Sequence, residues 1–388
     1  MSGDGRLVRA LVACYPAAWR HRYGEEYAQL LCDLHVGRRP ALVWDSLFGA
    51  VRAHGGVLMS GDCSMSAAVW AAGLFTVAGL GFVKLAEDFS GDAGGAYLLL
   101  VVGAAVAGAV LTERVLGKRG TLGDGSATIT GMLLGLTLPA GMPMWMAFIG
   151  GVLGIALGKL LFGGLGYNVF NPALFGRAFL QAAFPVAITT WPAVSGGAVR
   201  WWSLRGDNFA LPFMSAHTDA VTAATPLGLM KFEAKGTALF NLFIGNTGGS
   251  LGETSALLIL LCGGYLAWRG FLNWRTPVSI FGTVAVFSAI LHLSNAKYPA
   301  PLFMLFSGGL MLGAVFMATD MVTSPVTNAG KWLFGLGIGV LVVSIRVWGG
   351  LPEGVMYAIL LMNALVPFIN KATQPRVFGT RLAKEAAA

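Results

Sequence analysis

The sequence predicts an all-helical integral membrane protein of about ten transmembrane helices in two inverted five-helix repeats, preceded by a small helical cytoplasmic segment. Three observations carry that reading. Hydrophobic residues make up 56% of the 388 positions and charged residues 11%, with a mean hydropathy of +0.70, too apolar for a water-soluble domain. Apolar runs recur at the length that crosses a bilayer. Two stretches of the first half also recur loosely in the second, five spans later, and an odd offset inverts one copy relative to the membrane.

The head, residues 1–61, reads as amphipathic helices. "LVRALVACYPAAWRHRYGEEYAQLLCDL" sets Leu, Val, Tyr and Trp at helical spacing with Arg and Glu between them. Without a long apolar core it does not read as a signal peptide. It is expected in the cytoplasm, either as a docking or regulatory element or as a surface-bound amphipathic pair with no specific role. The first membrane repeat is assigned to residues 62–190, with spans near 66–86, 95–112, 126–142, 144–162 and 172–190. An extracytoplasmic interval follows over 191–253. The second repeat and tail occupy 254–388, with spans near 254–269, 277–294, 301–319, 331–348 and 353–370.

Basic residues set the orientation. Arg114, Lys118 and Arg119 follow the second span, Arg269 and Arg275 the sixth, and Lys371, Arg376, Arg381 and Lys384 the last. These segments are assigned to the cytoplasm, which puts both termini inside and the 191–253 interval outside. The net charge of +8 is therefore topological, and nucleic acid is not expected as a partner. The repeat shows as "GMLLGLTLP" against "GLMLGAVFMATD", and as "GKLLFGGLGYNVFNPALF" against "SIRVWGGLPEGVMYAIL". Each copy of the second pair has a basic residue, Lys159 or Arg346, shortly before Gly-Gly-Leu. The four cysteines form no C-x-x-C pair and the five histidines are scattered, so no metal site is expected.

The outer interval contains "DAVTAATPL", Asp219 to Leu227. Thr225 followed by Pro226 has the form of an N-cap and N1 pair, with "PLGLMKFEAKGTALFNLF" expected to run on as one amphipathic helix. The threonine is then a cap, or a hydroxyl placed where free N–H groups and the helix dipole suit a phosphate ester.

This stretch resembles the flavinylation site of the RnfD/NqrB family of membrane subunits, a carboxylate followed by Ser/Thr-Gly-Ala-Thr. Asp219, Thr222, Ala224 and Thr225 match; Ala223 stands where the pattern has glycine. Further blocks resemble the same subunits in the same order over roughly residues 66 to 380, among them "FGGLGYNVFNPALFGRAFL", "FMATDMVTSPVTNAGKWLFGLGIG" and "GGLPEGVMYAILLMNALVP", with RnfD the nearer match. The head departs from the family pattern. The resemblance implies a urea-channel-like fold in the bacterial inner membrane, and FMN joined to Thr225 by a phosphodiester that a separate flavin transferase makes. It also implies membership of an Rnf-type complex that links electron flow to Na⁺ or H⁺ movement, beside a second flavin-carrying subunit and iron–sulfur subunits. A non-covalent riboflavin within the bundle is compatible with it.

Four carboxylates fall at or near membrane depth and are candidates for an ion path: Asp124, Glu253, Asp320 and Glu353. Asp124 and Glu253 lie in the first turn or so of a predicted helix, where a carboxylate can instead cap N–H groups. Asn168 and Asn171 flank a break and could bind a flavin ring or satisfy freed backbone groups. Arg177, inside a span, is expected to pair with a carboxylate or a cofactor. The competing function is a transporter or channel of the same fold with no redox role, since broken helices and buried carboxylates also suit transport.

Overall fold

The computed structural model describes residues 8, 11–13, 25, 27–29, 94–117, 125–139, 141–190, 212, 225–245, 247, 249–295 and 297–374. The chain divides into two compact units, Met1–Ala71 and Ala72–Ala388. In the first, the described residues are helical, and Val8 and Leu11 are buried. The expected span at 66–86 and the candidates Asp124, Asp219 and Thr222 lie outside the described residues.

The described part of the second unit is helical, with no strand. In chain order it comprises α1 (Gly94–Leu116), α2 (Ser126–Leu136), α3 (Met144–Ile155), α4 (Pro172–Ala183), α5 (Pro185–Thr189), α6 (Pro226–Glu233) and α7 (Leu239–Ile244). These are followed by α8 (Leu251–Thr254), α9 (Ala256–Trp268), α10 (Arg275–Ser294), α11 (Pro301–Phe306), α12 (Leu310–Leu312), α13 (Asn328–Trp348) and α14 (Val355–Thr373). Three of them, α10, α13 and α14, are long and apolar enough to cross a membrane. The apolar helices at 126–136, 144–160 and 256–268 are shorter.

Several expected spans are broken, each for a local reason. The fifth divides at Phe184, because Pro185 supplies no N–H to α4 and opens α5 instead. The eighth divides at Ser307–Gly309, where Gly308 takes a left-handed φ of 66°. The third stops at Leu136, where the Thr137 hydroxyl turns back to the Leu134 carbonyl at 2.7 Å. The amphipathic helix expected from Pro226 onward also stops early. Ala234 is left-handed (φ 53°) and Lys235 N donates to the Leu229 carbonyl at 3.2 Å, closing α6 before α7 begins.

Two helices widen into a π turn: α3 over Ala156–Leu160, where Leu161 N reaches the Ala156 carbonyl, and α12 over Gly313–Met317, where Ala318 N reaches that of Gly313. Packing follows a common order in the two halves. α1 packs on α2 and α3, and α3 on α4; α10 packs on α11 and α13, and α13 on α14. The α1–α3 contact needs glycine, since a Cβ on Gly151 would lie 2.2 Å from the Ala105 carbonyl oxygen. Between the halves, the short α8 wedges against the ends of α2 and α12, with Gly252 facing Leu136 and Leu312.

Candidate functional site

A cavity of about 100 Å³, room for several waters, opens where these broken ends converge. Thr137 contributes from the end of α2, Arg177 and Gln181 from α4, Thr225 and Leu227 from α6, Glu253 from α8, Gly308 and Gly309 from the α11–α12 break, and Glu353 from the α13–α14 break. Four of the residues singled out from sequence therefore share one cavity: Arg177, Thr225, Glu253 and Glu353.

Its charged wall is organised by Arg177. Nη1 donates to Glu253 Oε1 at 2.6 Å and Nη2 to Glu353 Oε2 at 3.0 Å, with the arginine and Glu253 both about 8% exposed. One guanidinium thus joins α4 of the first half to α8 and to the α13–α14 break of the second. Glu353 also accepts from the Gly309 N–H, one of the donors freed by the α11–α12 break. A Cβ on Gly309 would sit 2.6 Å from Glu353 Oε1 and 2.7 Å from Glu253 Oε1, so the glycine admits both carboxylates. Arg346, buried in the last turn of α13, donates to the carbonyl oxygens of Met304 and Ser307 (the latter at 2.9 Å), covering the frayed end of α11.

Among the described residues, no helix N–H donates to the Glu253 carboxylate. That carboxylate is taken by Arg177, while Ser255 caps α9 by accepting from Leu258 N at 3.4 Å. The buried guanidinium competes better for that carboxylate than neutral N–H groups do.

Thr225 caps α6 as the Thr-Pro pair predicts. Its backbone is extended, Pro226 follows at N1, and Oγ1 accepts from Gly228 N at 3.2 Å. Leu227 anchors the helix in a buried cluster with Leu242 and Phe303. Lys231 donates to the carbonyl oxygens of Gly349 and Leu351, and its partial burial lowers the ammonium pKa from the ordinary lysine value.

Of the other candidates, the described ones, Asn168, Asn171 and Asp320, lie apart from the cavity lining. Asn171 caps α4, accepting from Ala173 N (3.0 Å) and Leu174 N (3.3 Å), and Nδ2 donates to the Met317 carbonyl at the π turn (3.2 Å). Its amide is engaged in holding the break. Asn168 Nδ2 makes a long contact to the Phe170 carbonyl, 3.4 Å. Asp320 turns back on its own segment, accepting from Val322 N and from the Thr323 hydroxyl.

Sequence reasoning missed a second buried pair. Lys159 Nζ, in the π turn of α3, donates to both oxygens of Glu113 in α1 (2.7 and 2.8 Å) and to the Ser126 hydroxyl (2.6 Å). Lysine and glutamate are 2% and 1% exposed. The signal was Lys159 inside an apolar run, a charge that is costly unless paired; Glu113, just past the expected limit of the second span, gave less. Among the described residues, no group of three or more His, Cys, Asp or Glu is placed to hold a metal ion.

The NQR2, RnfD, RnfE family matches residues 38–379. The chain is 42% identical over 302 residues to the D subunit of the proton-translocating ferredoxin:NAD(+) oxidoreductase complex of Clostridium ljungdahlii, covering 74% of this chain and 86% of that protein. It is 43% identical over 272 residues to the D subunit of the ion-translocating oxidoreductase complex of Stutzerimonas stutzeri, covering 66% and 76%. It is 40% identical over 303 residues to the D subunit of the Na(+)-translocating ferredoxin:NAD(+) oxidoreductase complex of Acetobacterium woodii, covering 76% and 87%. A match over most of the chain, together with relatives near 40% identity that it spans for three quarters or more of their length, is decisive: the chain belongs to the NQR2, RnfD, RnfE family.

Proposed function

We propose that this protein is the flavin-carrying membrane subunit of an Rnf-type complex in the bacterial inner membrane, relaying electrons through FMN esterified to Thr225 while the complex moves Na⁺ or H⁺. The observation that carries the reading is the position of Thr225: it is the N-cap of α6 and lies on the wall of the cavity that also receives Arg177, Glu253 and Glu353. The residues present fit a phosphate-linked group. The Thr225 hydroxyl stands at the N-terminus of α6, accepting from the Gly228 N–H, and the helix dipole favours an anion beside it. FMN, when bound, supplies one-electron chemistry; the chain supplies its attachment, depth and dielectric surroundings. Asp219 and Thr222 complete the segment that a flavin transferase would read, and the resemblance extends to a riboflavin as a second flavin.

Partner subunits are a second flavin-carrying subunit and iron–sulfur subunits, since this chain has no redox-metal motif of its own. The related subunits named as parts of proton- and sodium-translocating complexes support that assembly. About ten spans in two inverted repeats, residues 62–190 and 254–388, fit the matching packing order of α1–α4 and α10–α14. In this arrangement the head and both termini face the cytoplasm and Thr225 faces outward. Glu253, Glu353, Asp320 and Asp124 stand as ion-path candidates.

The test is covalent attachment. Full-length protein co-expressed with a flavin transferase should give a fluorescent band on a denaturing gel under ultraviolet light, and Thr225→Ala should abolish it. No band from the wild type, or a band that survives the substitution, overturns the reading and leaves a urea-channel-like transporter or channel.

A further inference from the structure

Helix α6 meets the charged wall at two places, and neither involves Thr225 itself. Near its start, Leu227 packs on Gly308. A Cβ on that glycine would come within 2.5 Å of Leu227 Cδ1, 3.2 Å of Glu353 Oε1 and 3.3 Å of Arg346 Nη2. One turn later, Lys231 Nζ donates to the carbonyl oxygens of Gly349 and, at 3.0 Å, Leu351. Those carbonyls sit at and just beyond the C-terminus of α13, where they lack intrahelical donors and where a cation suits the dipole. Glu353 follows two residues after Leu351, and its carboxylate is held by Arg177 and the Gly309 N–H.

At eight residues α6 is too short to be stable alone, so tertiary contacts set its position. Its first turn is buried through Pro226 and Leu227, whereas Phe232 and Glu233 at its far end are exposed. Apolar contact holds the face that carries Leu227 and Met230, and the exposed last two residues lie beyond it. Lys231, next to Met230, adds a polar fixed point where the exposed end of the helix bearing Thr225 begins.

We infer that Lys231 is a positioning residue that ties the helix bearing Thr225 to the break bearing Glu353, so that a change in the pairing of Glu353 resets α6. The tie takes its meaning for electron transfer from the proposed role of Thr225, but its physical test does not depend on that role. By linkage, whatever shifts Glu353 shifts α6, and the reverse coupling has the same free energy.

Hydrogen exchange of the backbone amides of residues 227–233 reads the tie directly, in the full-length chain purified in detergent without a flavin transferase. Lys231→Met should speed exchange by about tenfold, the loss of a hydrogen bond to a charged group. Glu353→Gln should also speed it, and the double variant should be no faster than Lys231→Met alone. Lys231→Arg, which keeps a charged donor, should restore slow exchange. If the methionine variant does not fold, Lys231→Gln in the same comparison decides. Additive effects in the double variant reduce Lys231 to a cap on α13 and overturn the tie, and so does an unchanged rate in either single variant. Co-expression of the same chains with a flavin transferase keeps the two readings apart: an unlabelled wild-type band overturns the role of Thr225, whereas the exchange rates alone decide the tie.

Discussion

Arg177 is the residue on which the cavity wall depends, because its two Nη groups are the described donors that hold Glu253 and Glu353 together. Removing one partner of a buried ion pair leaves the other charge uncompensated, which costs about 3–5 kcal/mol. Arg177→Met should therefore lower the unfolding midpoint markedly, measured by tryptophan fluorescence in detergent. Lys159→Met should do the same through stranded Glu113. The double variant Glu113→Leu with Lys159→Met should recover most of that loss, because an apolar pair of similar volume replaces the ions. A double variant no more stable than the single one would show that Glu113 and Lys159 do more than neutralise each other. At this scale the sequence was partly legible. A lone arginine in an apolar run announces a need for a partner, but its partners lie 76 and 176 positions away and no local spacing identifies them. Glu253 shows the limit: its place in a first turn suggested a cap, and a distant guanidinium took it instead.

At the scale of elements, caps and breaks were readable where a residue's own backbone chemistry decides them. Thr225-Pro226 and Asn171-Pro172 start helices as their types require. The end of α6 was not readable, because Ala234 adopts a left-handed conformation that alanine does not favour. Relieving that strain gives a prediction: Ala234→Gly should be neutral or stabilising by about 1 kcal/mol, against the usual penalty for glycine. Calorimetry on the purified protein checks it, and a clear loss of stability would mean that the Ala234 methyl makes a contact worth more than the strain. Glycines sort the same way. Gly151→Ala should destabilise, since its Cβ would meet the Ala105 carbonyl and force α1 and α3 apart. Gly282→Ala in α10 meets nothing within 4 Å and should leave the melting temperature unchanged or raised. Composition alone treats the two glycines identically; only the helix–helix contact separates them.

For the whole molecule, helical class, membrane character and family were legible because they rest on sums over many residues. Spans were expected at 126–142, 172–190 and 301–319, and the points where they break, at Thr137, Pro185 and Gly308, were not located, since hydropathy counts apolar residues without registering where a hydroxyl, a proline or a left-handed glycine interrupts them. The proposed topology has a direct check. In a cysteine-free background, a cysteine at Ala234 should react with a membrane-impermeant thiol reagent from outside intact cells and one at Lys371 only after lysis; the reverse pattern would invert the protein in the membrane. The charged wall itself has a wider consequence. Arg177, Arg346, Glu253 and Glu353 all approach the Gly308–Gly309 break or one another, and their formal charges sum to zero. A neutral quartet exerts little net pull on a cation in bulk water. What it holds is carboxylate oxygen on the cavity wall, with one oxygen of Glu253 and one of Glu353 engaged by the same guanidinium, so that any change in Arg177 is felt by both acids at once.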